Sequence, residues 1–181
     1  MNIETPLKKE DIEKLKAGDI VKISGIIYTA RDAAHKKMCE LLEKKQNLPF
    51  DPEGAVIYYV GPAPEKPGQI IGSAGPTTSG RMDVYTPLLL EKGLKGMIGK
   101  GERSDKVKEA IVRNKAVYFA AAGGAAALIS KSIISSKVIA YEELGTEAVR
   151  ELVVRDFPVI VINDIYGNDL YNEGQKKYRE E

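Results

Sequence analysis

Hydrophobic positions along the chain change period several times, and each change marks an element. In "DIVKISGIIYT" (19–29), Val21, Ile23, Gly25 and Ile27 recur every second position, which predicts a strand with one buried face. From Arg31 to about Lys45 the apolar set Ala34, Met38, Leu41 and Leu42 follows a helical period. Ile12 and Leu15 predict a short helix over 8–16, ended by Gly18. Short apolar runs, "AVIYYVG" (55–61), "QIIGSAG" (69–75), "GMIG" (96–99) and "AVYFAAA" (116–122), predict buried strands. "QNLPFDPEG" and the Pro-rich "PAPEKPG" read as loop and turn. A helix over 84–93 would carry Pro87 near its start. Ser104 is placed to cap a helix over 105–115, with Val107, Ala110 and Ile111 inward and Glu109 four residues before Arg113. "GGAAALISKSI" (123–133) predicts a small-residue helix, followed by strands in "KVIAYEEL", "AVRELVVRDF" and "PVIVINDIYGNDLY". Residues from about 172 to 181 are polar and predict a frayed tail.

Strands and helices interleave, so the fold class is α/β: a mixed sheet with helices packed on it. With 181 residues and no linker, the chain is expected to form a single domain over 1–181. Lys plus Arg number 27 against 26 Asp plus Glu, which leaves no net basic field for nucleic acid or an anionic membrane. Any anion chemistry must come from a local cluster of cations. The charged N-terminus has no signal-peptide core. The longest run without a charge, serine or threonine, 116–129, falls short of the roughly 20 residues a bilayer span needs. One cysteine, Cys39, excludes an internal disulfide and argues for a reducing, cytoplasmic setting. It also cannot supply the thiolates of an iron–sulfur cluster.

The stretch "GSAGPTTSGRMD" (72–83) comes close to a phosphate-binding loop, with Arg81 in place of its lysine and Met82 in place of its serine or threonine. Met82 stands where a magnesium-binding hydroxyl is needed, and Pro76 removes a cradle N–H, so the triphosphate reading fails on chemistry. What remains is a glycine-flanked turn with three hydroxyls, Thr77, Thr78 and Ser79, and the Arg81 guanidinium. If a helix began near Thr77, its dipole would add to the attraction for an anion. A plain helix cap, with Arg81 paired to a surface carboxylate, fits the same residues. "YTARD" places Arg31 where a strand passes into a helix, the usual edge for ligand contacts, although a helix-start ion pair would also occupy it. "GKG" puts Lys100 between two glycines. Two guanidiniums can each hold a carboxylate bidentately, and a lysine can compensate charge that grows during reaction.

Five ordered blocks, "YTARDAAHK", "GPTTSGRMD", "MIGKG", "YFAAAGGAAALISKSI" and "DFPVIVINDIYGNDLY", resemble the β subunit or C-terminal domain of class I fumarate hydratases. The related L-tartrate dehydratase β subunit is similar nearly as well, and the match runs from about residue 6 to 171. The resemblance implies a swivelling β/β/α three-layer domain. It also implies one half of a hydro-lyase acting on a small dicarboxylate, fumarate/malate ahead of tartrate. A [4Fe–4S] cluster is then expected on a cysteine-bearing α subunit, with no metal on this chain, in an α2β2-type assembly. It assigns Arg31 and Arg81 to carboxylate binding, Lys100 and Thr77 to catalysis, and Thr78 to a substrate hydrogen bond. His35 and Asp83 are expected to support these residues from behind. His35 and Cys39, four apart on one helix, are too few for a metal shell, and Cys39 reads as a buried inert thiol. The rival from another class is a non-catalytic module that binds a small anion.

Overall fold

Alternation along the central strands sorts their side chains into two separate cores. In the computed structural model, which describes residues 1–121 and 126–178, Val56 and Tyr58 point to one side of strand β3 (Val56–Tyr58), and Ile57 and Tyr59 to the other. The same division holds in β4 (Gly96–Gly99), with Ile98 opposite Met97, and in β5 (Val117–Ala120), with Val117 and Phe119 opposite Tyr118. A strand buried on both faces reads as a continuous apolar run, which is why these segments carry no polar alternation.

Strands β1 (Asn2–Glu4), β2 (Ile20–Thr29), β3, β4 and β5 run parallel and neighbour one another in that order. The outer face of β3, β4 and β5 is covered by helices α2 (Asp32–Glu43), α3 (Thr86–Glu91) and α4 (Asp105–Asn114). Ala34, Met38, Leu89, Leu90, Val107, Ala110 and Ile111 fill that layer. Each of the Met, Leu, Val and Ile chains among them contributes about 1.5–3 kcal/mol relative to exposure. The inner face meets an antiparallel layer of β6 (Ile133–Ala140) and the long strand β7 (Val149–Asn163). All seven strands form one mixed sheet, in which β7 pairs with both β2 and β5 and so closes the sheet over its own inner face, while the helices cover the outer one, the mixed α/β arrangement expected.

Several boundaries differ from expectation. The two strands expected in 148–171 are one: β7 runs unbroken past Pro158 and pairs with β2, β5 and β6. A bulge opposite Ser24 bends it, with Asp156 in the left-handed region at φ 52°. Pro158 costs β7 nothing toward β2, because Lys22 opposite it turns its backbone groups toward β1, its N–H donating to Met1 O, and offers residue 158 no acceptor to serve. Residues 69–75 form no strand; they fold back on the Pro-rich turn, where Ser73 O accepts from the N–H of Ala63. The helix expected over 8–16 shortens to α1 (Lys9–Ile12).

The helix expected over 123–133 is α5 (Ala126–Lys131), and Gly123 and Gly124 lie outside the described residues. Strand β6 starts at Ile133, before the expected Lys137, and a 3-10 turn follows at Glu142–Glu147. Residues 172–178, expected as tail, continue the helix α6 (Leu170–Tyr178). The "DIYGNDLY" block is structural: Asp164 accepts from the N–H groups of Ala17, Tyr166 and Asn168, and Asp169 accepts from Tyr171, Asn172 and Lys108. No helix among the described residues is long and apolar enough to cross a membrane.

Candidate functional site

Parallel strands deliver their following loops to one edge of a sheet, and β2, β3 and β4 do so here. Arg31 follows β2, Gly61 follows β3, and Lys100 follows β4. The motif loop is stitched into the same edge. The N–H of Thr77 donates to Tyr59 O (2.7 Å), that of Lys100 to Thr77 O (3.3 Å), and that of Ser79 to Lys100 O (2.8 Å). Thr78 and Lys100 are thereby paired side by side in a short parallel bridge.

The two arginines meet across one carboxylate. Arg81 Nε donates to Asp32 Oδ1 at 2.9 Å, while Arg31 Nε lies 3.9 Å from Asp32 Oδ2. Glu147 stands 3.6 Å from Arg31 Nη2, but its other oxygen is engaged by the N–H of Ala33, where it caps α2. Among the described residues the Arg31 guanidinium therefore has ion-pair neighbours and no hydrogen bond in the usual range, and its buried Nε has no acceptor. Arg81 commits only Nε, so its two terminal nitrogens keep the fork suited to a carboxylate. Gly61 makes room for this arrangement: a Cβ there would sit 2.8 Å from Arg31 Nη1.

Lys100, Thr78 and Arg81 are exposed, so the edge is open to a ligand or a partner. The Lys100 ammonium and the hydroxyls of Thr77 and Thr78 make no hydrogen bond or ion pair among the described residues. Ser79 differs from its neighbours. Its buried hydroxyl donates to Tyr118 Oη (2.8 Å), which donates to Gly101 O (2.8 Å). Gly99 serves this packing rather than ligand approach, since a Cβ would fall 2.0 Å from Ser79 Oγ. The segment after Thr78 is only a four-residue 3-10 turn (Ser79–Met82), so no α-helix dipole aids anion binding there.

The structure thus joins Arg31 to Arg81 through Asp32, and Lys100 to Thr77 and Thr78 through the backbone. His35 and Asp83 stand behind them. His35 is fully buried, and its Nδ1–H donates to Arg31 O at 2.8 Å, which fixes the neutral tautomer. Burial above all, with the Arg103 charge adding, lowers its pKa to about 4. Below about pH 6.5 the unfolded chain therefore takes up a proton that the folded chain refuses, so stability declines as pH falls toward 4 and levels off below it. By pH 5 the expected loss is on the order of 2 kcal/mol. Urea unfolding at pH 7 and pH 5 checks this: the decline should shrink in His35→Gln, and equal pH slopes would remove His35 as its source.

Asp83 accepts from Arg103 Nε (2.7 Å) and from the N–H of Ser104 (2.6 Å). It replaces Ser104 as the cap of α4, because the Ser104 hydroxyl makes no capping bond. The expected Glu109–Arg113 pair is replaced by Arg113–Glu91 at 3.3 Å. Arg103, Tyr118, Asp32 and Glu147 were not singled out by sequence. Arg103 lies in the polar run "KGERSD", which reads as surface until the fold buries it.

Cys39 is buried beside Tyr85 O, and burial pushes its thiol up to about 11, Glu43 adding to the rise. A lone buried thiol does not fit the ligand set of an iron–sulfur cluster. Among the described residues no group of three or more His, Cys, Asp or Glu is arranged to hold a metal ion.

Comparison with known proteins bears on the whole chain. It matches the family model described as "Fumarase C-terminus" over residues 1–174. It is 42% identical over 180 residues to the Methanocaldococcus jannaschii protein named "Putative L(+)-tartrate dehydratase subunit beta", covering 96% of this chain and 92% of that one. It is also 36% identical over 177 residues to fumarate hydratase 2 of Leishmania major and to the anaerobic class I fumarate hydratase of Escherichia coli. Those matches cover 96% of this chain but only 31% and 32% of theirs. Matched from residue 1 to 174 and related at above 30% identity over nearly its whole length, the chain belongs to the fumarase C-terminal family.

Proposed function

We propose that this chain is the β subunit of a two-subunit hydro-lyase for a small 2-hydroxy dicarboxylate, interconverting malate and fumarate. The observation that carries the reading is the pairing of Arg31 and Arg81 about Asp32 at a strand-end edge, with Lys100 and Thr78 side by side on the same edge. Two guanidinium forks suit the two carboxylates of the substrate. Removing the proton next to a carboxylate places a second negative charge on that group, and Lys100 stabilises it as it forms. Thr77 takes part in moving that proton together with an acid of the partner, since a lone threonine hydroxyl is a weak base. Thr78 hydrogen-bonds the substrate. The [4Fe–4S] cluster is assigned to the α subunit, because the donors of this chain do not fit it.

The two-chain arrangement draws support from the relative named as a β subunit, of which this chain spans 92%. The same relative favours a second reading in which the substrate is L-tartrate. The complex is read as a cytoplasmic α2β2-type assembly.

Anaerobic reconstitution tests the proposal. The chain alone is expected to be colourless and inactive. Activity on fumarate or on L-tartrate should appear only after addition of a cysteine-bearing α chain, iron and sulfide. Failure of the assembled complex to turn over either compound would sink the hydro-lyase reading and leave the anion-binding module.

A further inference from the structure

Arginine is rarely buried, yet Arg103 has only 3% of its surface exposed. Its guanidinium lies between the rings of Tyr59 and Tyr118, 5.3 and 5.0 Å from their centroids. Nε donates to Asp83 and Nη2 to Thr86 Oγ1 (2.8 Å), while Thr86 in turn donates to Met82 O (2.9 Å). Asp83 completes the loop by accepting from the N–H of Ser104. A buried ion pair of this kind seldom adds net stability over a well-packed apolar substitute, and its better-attested use is to fix one geometry.

What it fixes is specific. Lys100 lies three residues before Arg103, and Arg81 two residues before Asp83. The pair therefore locks the turn that carries Lys100 against the turn that carries Arg81. Two weaker ties run beside it: the Ser79 N–H on Lys100 O, and the hydroxyl relay from Ser79 through Tyr118 to Gly101. We propose that Arg103 is a positioning residue that sets the separation of Arg81 and Lys100, and through it the size of dianion the edge accepts. This rests on the functional reading above. Arg103 itself is buried behind the edge and touches no substrate.

Arg103→Ala would strand the Asp83 carboxylate and disturb folding, so Arg103→Lys carries the test. It keeps the charge and loses the planar fork. Two measurements are made on folded protein. In the full chain, amide exchange of Ser79 and Lys100 is expected to quicken at least tenfold, with the β2 amides of Ile23 and Ile27 unchanged. In the reconstituted complex, KM for the dicarboxylate is expected to rise at least tenfold and kcat to fall. A purely structural role would reduce the yield of folded protein and leave KM alone. Wild-type exchange at Ser79 and Lys100, or fast exchange with an unchanged KM, would overturn the proposal. Should the wild-type complex turn over no dicarboxylate, the functional reading falls, and the exchange rates still decide whether Arg103 holds the two turns together.

Discussion

Replacing Lys100 with methionine is expected to lower kcat of the reconstituted enzyme by about 10²–10³-fold, the usual cost of deleting one preorganised donor at developing charge. The side chain is exposed and has no hydrogen-bond or ion-pair partner among the described residues, so its loss breaks no such contact there. Arg31 and Arg81 keep their arrangement around Asp32, so ground-state binding of the carboxylates is largely retained. The deficit should therefore fall on kcat more than on KM, because the ammonium matters most when the second negative charge forms. Steady-state kinetics beside a melting curve will separate chemistry from stability. A variant within threefold of wild type would remove Lys100 from the reaction.

The second large effect concerns stability. Asp83→Ala removes the one carboxylate that pairs with the Arg103 guanidinium among the described residues, and the Arg103 side chain has 0% exposure. An uncompensated buried charge costs about 3–5 kcal/mol. For a chain of this size that is a fall in melting temperature of roughly 6–20 °C. Glu91→Ala supplies the contrast. Its pair with Arg113 is more than half exposed on both sides, and its loss should cost under about 1 kcal/mol. Calorimetry on the two variants will show whether burial sets the difference; comparable losses would refute the assignment of Arg103–Asp83 as the dominant pair.

Much of the framework is legible in the sequence, for identifiable reasons. Strand β2 and helices α2 and α4 keep a strong period because each has one wet and one dry side. The buried strands β3, β4 and β5 announce themselves as apolar runs between glycines and prolines. Legibility ends where a residue's role depends on distant partners. The flanking glycines mark Lys100, which the fold leaves exposed, but nothing local marks Arg103, three residues later, as the cation it buries. Asp83 reads as the end of a glycine motif, yet its partners lie twenty residues on, at Arg103 and Ser104. Asp32 follows Arg31 directly, but its tighter contact is with Arg81, on a different loop. The break expected at Pro158 fails for a similar reason, since proline's missing donor matters only where a neighbour needs it.

Strand β7 also decides when this molecule can exist during synthesis. Tyr28 finds its antiparallel neighbour in Glu151 and Ile20 in Ile160, so the first long strand waits for nearly the last. Because the closure cost of such distant pairings must be met before they are rewarded, assembly is expected to be late and slow compared with a helical protein of equal size. Until β7 has emerged from the ribosome, residues 20–28 of β2 lack their antiparallel neighbour. A nascent chain stalled there would be a substrate for chaperones, and the strand end that leads to Arg31 would not yet have its ties from Thr29 to Ala148 and Arg150.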